Sequence, residues 1–234
     1  MPAAAPRILS VTLPSGAPLD AMADFYAGAL GLPVERAGEV LTVRVGPSTL
    51  RFTPTDDHAA RSHFAFNIPA GAIRAAHAWL RDRVALVVTP REARDAGLPD
   101  EVRHFPAWNA HALYCLDPAG HVVEWIARHD LPDAQPGSFT AADMQCVSEI
   151  ALGVEDVHAA GDALADAFGL AQYRGATDDF RAMGDERGLL LCFRSGGVMI
   201  PDVPVRTVPL RVRIASERAG RVTLADGAIV IESR

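Results

Sequence analysis

The sequence predicts an α+β fold assembled from repeats of one βαβββ module, and three observations lead there. A strand, a helix and a run of short strands recur in that order three times along the 234 residues. Two of the helices end alike, Phe25-Tyr26-Ala27-Gly28-Ala29-Leu30-Gly31-Leu32 against Leu164-Ala165-Asp166-Ala167-Phe168-Gly169-Leu170, each with a glycine suited to a C-terminal cap. Asp117-Pro118-Ala119-Gly120 carries the preferences of a type I turn, so residues 113–116 and 122–126 read as a hairpin.

In order, the first module reads strand 8–13, helix 19–30, a short strand near Val34, and strands 40–45 and 49–53. The second reads strand 63–68, helix 72–83, strand 85–88, a long loop, and the hairpin within 112–126. The third reads strand 148–154, helix 157–168, a strand near Gln172, and strands 180–183 and 189–193. Strands at 209–214 and 221–231, with no room for a helix between them, make a degenerate fourth unit. Residues 131–144, rich in Pro, Gly, Ser, Asp and Ala, have linker composition, which divides the chain into domains 1–130 and 145–234, the second shortened.

Composition narrows the function classes. A net charge of −7 without a basic tract argues against a nucleic-acid partner. All 22 basic residues are Arg, which excludes Schiff-base lysine chemistry and the lysine-containing phosphate loop. No apolar run approaches bilayer length and residues 1–6 lack an export pattern, so no membrane partner and a cytoplasmic location are expected. Cys115, Cys146 and Cys192, odd in number and set among apolar neighbours, read as reduced core thiols.

The chemistry concentrates on Glu124, a carboxylate in the apolar strand after the turn, which needs a proton, a cation or a metal if buried. Alternation in residues 62–68 puts Phe64, Phe66 and Ile68 on one face and His63, Ala65 and Asn67 on the other, making His63 the candidate partner. Hairpin pairing sets Tyr114 opposite Glu124, where a phenol can donate a proton or clamp substrate. A metal-free His63–Glu124 hydrogen bond is the competing reading.

These residues, a helix ending Phe25-Tyr26…Leu30-Gly31-Leu32, the His63-Phe64-Ala65-Phe66 strand and the Asp117-Pro118…Gly120-His121…Glu124 hairpin, resemble the vicinal oxygen chelate superfamily. That family includes glyoxalase I, extradiol dioxygenases, fosfomycin-inactivating thiol transferases and metal-free bleomycin-binding proteins. The resemblance covers residues 7–128 well and 145–195 as one further module. It implies paired βαβββ modules forming cupped mixed sheets with helices outside. It also implies a divalent metal (Mn, Fe, Zn, Ni or Co) held by His63 and Glu124. The family's third ligand position falls on Ser10 if the first module pairs with the second, the simpler arrangement and the one expected here. If the second pairs with the third, it falls on Glu149.

Strand alternation would then line a first-domain cavity with Ser10, Thr12, Arg44, Arg51 and Asn67, with Trp108, Asn109 and His111 of the long loop covering its mouth. Arg44 and Arg51 would suit an anionic or oxygen-rich substrate, although both also fit solvated strand faces. Other histidines, His121 on the turn and His77 on a helix among them, read as surface or loop residues. The expectation is a glyoxalase- or dioxygenase-type enzyme that uses Glu124 and Tyr114 in proton movement on a small substrate. The alternative is a metal-free protein that sequesters a small molecule. Open sheet edges in the shortened half lead to the expectation of a homodimer.

Overall fold

The computed structural model describes residues 7–131, 137–200 and 202–233. Residues 1–6, which carry no export pattern, and 132–136 of the expected linker fall outside them. The first module is β1 (Ile8–Ser15), α1 (Leu19–Ala23) continuing as a π-helical turn (Asp24–Ala29), β2 (Val34–Ala37), β3 (Val40–Val45) and β4 (Ser48–Pro54). The second is β5 (His63–Ile68), α2 (Ile73–Leu80), a long loop, β6 (Arg103–Phe105), β7 (Ala110–Leu116) and β8 (Val122–Arg128). The third is β9 (Cys146–Val154), α3 (Val157–Phe168), β10 (Phe180–Asp185) and β11 (Gly188–Arg194). A two-stranded ribbon, β12 (Val198–Met199) with β13 (Val203–Pro204), precedes β14 (Leu210–Ile214), β15 (Gly220–Leu224) and β16 (Ile229–Ser233).

Three local expectations change. Residues 85–88 form no strand, because β6 takes the sheet edge beside β7; one bond from Val87 N–H to the Tyr114 carbonyl (2.8 Å) remains. The strand near Gln172 is a single bridge to Met183. The run 221–231 splits into β15 and β16 at Ala225–Gly227, where Asp226 adopts φ +53°.

The module pairing differs from the expected one. One seven-stranded sheet runs β15-β16-β14-β1-β4-β3-β2 and the other β10-β11-β9-β5-β8-β7-β6. The first module therefore pairs with the last strands, and the second pairs with the third through antiparallel β5 and β9. Burial supplies the reason. β5 and β9 are buried along their whole length and need covering on both faces, which the centre of a sheet provides. β14 alternates buried and exposed residues and suits a sheet with one solvated face. Each sheet draws strands from both sides of residues 131–144.

One continuous apolar core joins the two sheets and the helices, with Phe64, Phe66, Trp125 and Ile150 of the second sheet meeting Val11, Leu50 and Phe52 of the first. Each such fully buried side chain contributes about 1.5–3 kcal/mol. The hairpin turn belongs to this core as well. Gly120, at φ +80°, donates to the Asp117 carbonyl at 2.8 Å, closing the turn. The Asp117 carboxylate accepts from the amides of Ala119 (3.0 Å) and His121 (2.9 Å) and from the Tyr26 hydroxyl (2.8 Å). His121 is fully buried: its Nδ1 accepts the Ser62 amide at 3.0 Å and its Nε2–H donates to the Pro14 carbonyl at 3.0 Å. The turn thus bolts the second module to the first. His77 is also buried, 3.0 Å from Glu101.

Candidate metal centre

Three acidic or basic side chains converge at the middle of the second sheet. Ala65 of β5 stands in register with Glu124 of β8 on one side and Glu149 of β9 on the other, and its methyl leaves room for both carboxylates. His63, two residues earlier on the same face, reaches between them. Its Nε2 lies 3.3 Å from Glu124 Oε2 and 3.5 Å from Glu149 Oε2. All three are buried, at 6%, 2% and 2% exposure. His63 Nδ1 lies 3.2 Å from the Val122 carbonyl, which can only accept, so Nδ1 carries the hydrogen and Nε2 turns toward the carboxylates.

That arrangement fits a cation. Two ligands each about 2.0–2.1 Å from a tetrahedral ion stand about 3.3–3.4 Å apart, close to the spacings here. A ring nitrogen anchored to a backbone carbonyl while the other faces the site is the usual support for a metal-ligating histidine. A proton on Nε2 is the other way to reconcile the group. Burial by itself would depress the His63 pKa, but hydrogen bonds and charges from Glu124 and Glu149 outweigh it and lift it to about 10.

The two carboxylates differ. Burial, then the charge of Glu149, pushes Glu124 up, although the Tyr114 hydroxyl donates to it. Burial also opposes ionisation of Glu149, yet Arg128 beside it and His63 hold its carboxyl below the usual range. Arg128 is 1% exposed; its Nη2 pairs with Glu149 and its Nε donates to Asn67 Oδ1 at 3.2 Å. Asn67 Nδ2 in turn donates to the Glu186 carbonyl at 2.8 Å. Burial, then Glu124, raises the Tyr114 pKa well above that of a free phenol, so Tyr114 keeps its proton.

The cluster floors a cavity of about 340 Å³. Its walls are aromatic (Phe105, Trp108, Phe180, Phe193) and aliphatic (Ile126, Leu191, Val198, Met199, Ile200), and its polar groups are His63, Tyr114, Glu124 and Glu149. Trp108 packs edge-on against Tyr173, 5.1 Å between centroids, and so joins the long loop to the third module.

Of the residues singled out in the sequence, His63, Glu124, Glu149, Tyr114 and Trp108 line this cavity. Tyr114 and Glu124 are direct cross-strand partners. Asn67 lies behind the site and holds Arg128. Ser10, Thr12, Arg44 and Arg51 lie on the other sheet: Ser10 pairs with Arg213 and Thr49, Thr12 with Arg211 and Arg51, and Arg44 is exposed beside Glu35. The cavity therefore lies between the second and third modules and not within residues 1–130. Asn109 caps a short 3-10 turn and bonds Asp130 at 2.7 Å, and His111 contacts Asp95 and His129. Sequence reasoning missed Arg128, although it shares the strand face of Glu124 two alternations on. It also missed Phe180, Leu191 and Phe193, which enter only through the pairing with the third module.

No protein-family model matches the chain, and no curated protein matches it. Solved structures do. A protein described provisionally as a dioxygenase, from Bacillus subtilis subsp. subtilis str. 168, superposes with a TM-score of 0.60 at 16% identity, covering 97% of this chain and 84% of that one. Glyoxalase I from Zea mays superposes with a TM-score of 0.57 at 15% identity, covering 98% of this chain and 92% of that one. Likeness at such identities is likeness of fold. The two mixed sheets of this chain share the α+β fold of these glyoxalase-type structures.

Proposed function

We propose that this chain is a divalent-metal-dependent enzyme of the glyoxalase or dioxygenase type, with His63, Glu124 and Glu149 as the ion's protein ligands. The observation that carries the reading is the convergence of the His63 Nε2 and two buried carboxylates at 3.3 and 3.5 Å, with Nδ1 anchored to a carbonyl. One imidazole and two carboxylates suit Mn, Fe, Co, Ni or Zn. When bound, such an ion supplies Lewis-acid polarisation of a substrate oxygen.

The chain's own residues define the rest. The aromatic and aliphatic walls favour a substrate with an apolar body, and its oxygens face the polar floor. This replaces the anionic substrate that Arg44 and Arg51 would have recognised. The apolar walls and the burial of His63, Glu124 and Glu149 lower the local dielectric, which strengthens charge interactions at the floor. Tyr114 holds its proton beside Glu124, and Glu124 is the more basic carboxylate, so the pair can pass a proton to and from a substrate carbon or oxygen. Arg128 keeps Glu149 ionised. A single histidine departs from the two-histidine, one-carboxylate set of ferrous oxygenases, which favours isomerase or lyase chemistry over ring cleavage.

A second reading rests on a specific observation: with His63 protonated, His63, Arg128, Glu124 and Glu149 balance in charge with no metal. The cavity would then sequester an apolar ligand. Metal analysis of protein purified without chelator and reconstituted with Mn, Fe, Zn, Ni or Co separates the two. The enzyme reading expects His63→Ala and Glu124→Gln each to lose about one equivalent relative to wild type. Wild type and variants within a tenth of an equivalent of each other would leave the binding protein standing.

A further inference from the structure

On the opposite face of the same sheet, β6, β7 and the residue that follows β8 bring three histidines together. His104 and His111 are direct cross-strand partners, their rings stacked 4.6 Å apart at an interplanar angle of 11°. His111 shares the strand parity of Leu113 and Cys115, so it points away from the cavity that Tyr114 lines. Its Nε2 stands 3.1 Å from Asp95 Oδ2, a carboxylate supplied by the long loop after α2. Its Nδ1 lies 2.7 Å from His129 Nε2. Donor atoms of Asp95, His104 and His111 all fall within 4.8 Å of one another.

The geometry points to a second, outer site for a zinc-class divalent cation, with Asp95, His104 and His111 as ligands and His129 as the group that receives Nδ1–H of His111. Directly opposed strand residues hold the two side chains within reach of one ion, and because stacked parallel rings cannot both aim in-plane lone pairs at it, the His104 ring turns about its side-chain torsions out of the stack to bind. The 3.1 Å between His111 Nε2 and Asp95 Oδ2 is near the edge length of a tetrahedral zinc shell, about 3.3 Å. An acceptor on the far nitrogen of a ligating histidine is the customary support, and His129 fills that place. Two imidazoles with one carboxylate select zinc, cobalt or nickel over magnesium and calcium, which want oxygen ligands. The Asp95 side chain is 43% exposed, so the ion enters from solvent and keeps a water.

The site would act on the cavity through the chain. Asp95 belongs to the loop, and His104 immediately precedes Phe105, with Trp108 three residues further on, both in the cavity wall. A cation joining Asp95 to the β6–β7 ribbon fastens this loop and fixes the aromatic wall from behind.

The test uses the double variant His63→Ala/Glu124→Gln, which removes the central cluster. Titrated with Co(II), it is expected to bind one equivalent with visible d–d absorption, and to lose it on further substitution of His104→Ala and His111→Ala. Zinc is also expected to slow tryptic cleavage after Arg91 and Arg94 at least tenfold, in the double variant but not in the quadruple one. Should the double variant fail to fold, His104→Gln/His111→Gln in the wild-type background is expected to lower Co(II) stoichiometry by one. Equal Co(II) binding with and without His104 and His111 overturns the site; binding without protection from trypsin overturns the clamp. Neither outcome depends on whether the central cluster holds a metal.

Discussion

Arg128→Met removes the only cation that contacts Glu149 besides His63 among the described residues, and its cost can be worked from the contacts. The pair is buried, at side-chain exposures of 1% and 3%, and deleting one partner of such a pair costs about 3–5 kcal/mol because the other charge stays behind. Loss of the donor to Asn67 Oδ1 adds about 1 kcal/mol. Against this, Arg128 Nη1 is buried without a hydrogen-bond partner, so removing it relieves a desolvation penalty of about 1–3 kcal/mol. The net is a loss of about 3 kcal/mol, or about 6–12 °C in Tm for a chain of this size. Thermal and urea denaturation at pH 7 in EDTA measure it, and Arg128→Met/Glu149→Gln closes the cycle. The double variant should recover at least half of the loss, since no uncompensated carboxylate remains. Lowering the pH should recover part of it in the single variant by protonating Glu149. A single-variant loss under about 1 kcal/mol, or a double variant no better than the single, would refute the buried pair as the support of Glu149.

Three further outcomes follow from the same contacts. In metal-free protein the folded His63 pKa of about 10 lies above its unfolded value of 6.5, so its stabilisation is complete below about pH 6.5 and fades as pH rises to 10. Tm measured in EDTA across that window should fall more steeply for wild type than for His63→Ala. His121→Ala strands the Ser62 amide and the Pro14 carbonyl in the core, and should cost about 3 kcal/mol by urea denaturation; a surface-like cost under 0.5 would contradict its burial. Gly153→Ala would bring a Cβ to 2.3 Å from the Arg206 carbonyl, so β9 and the segment before β14 must separate, with a Tm drop of several degrees by calorimetry.

Much of the site was legible because its parts are local. Alternation places His63 on the polar face of its strand, and the Asp117 turn fixes the hairpin register that sets Tyr114 against Glu124. Glu149 was legible only as one of two alternatives, because its position depends on which strand edges meet across the chain. The burial of both faces of 63–68 and 146–154 decides that, and the polar His63, Asn67, Ser148 and Glu149 hide it by making both segments read as strands with one polar face. Arg44 and Arg51 show the limit of alternation: it separates two faces but does not say which one meets solvent. Asp117 and His121 show another. Turn preferences describe four residues, whereas the burial of this turn comes from Tyr26, Ser62 and Pro14, brought in from elsewhere in the chain.

The most direct measurement is an anomalous-difference map from crystals grown with Mn(II) or Co(II), recorded on both sides of the metal edge. The proposal predicts a peak enclosed by His63 Nε2, Glu124 Oε2 and Glu149 Oε2 that disappears in His63→Ala. A crystal grown at saturating Mn(II) or Co(II) with no peak there, and with His63 hydrogen-bonded directly to both carboxylates, would contradict it.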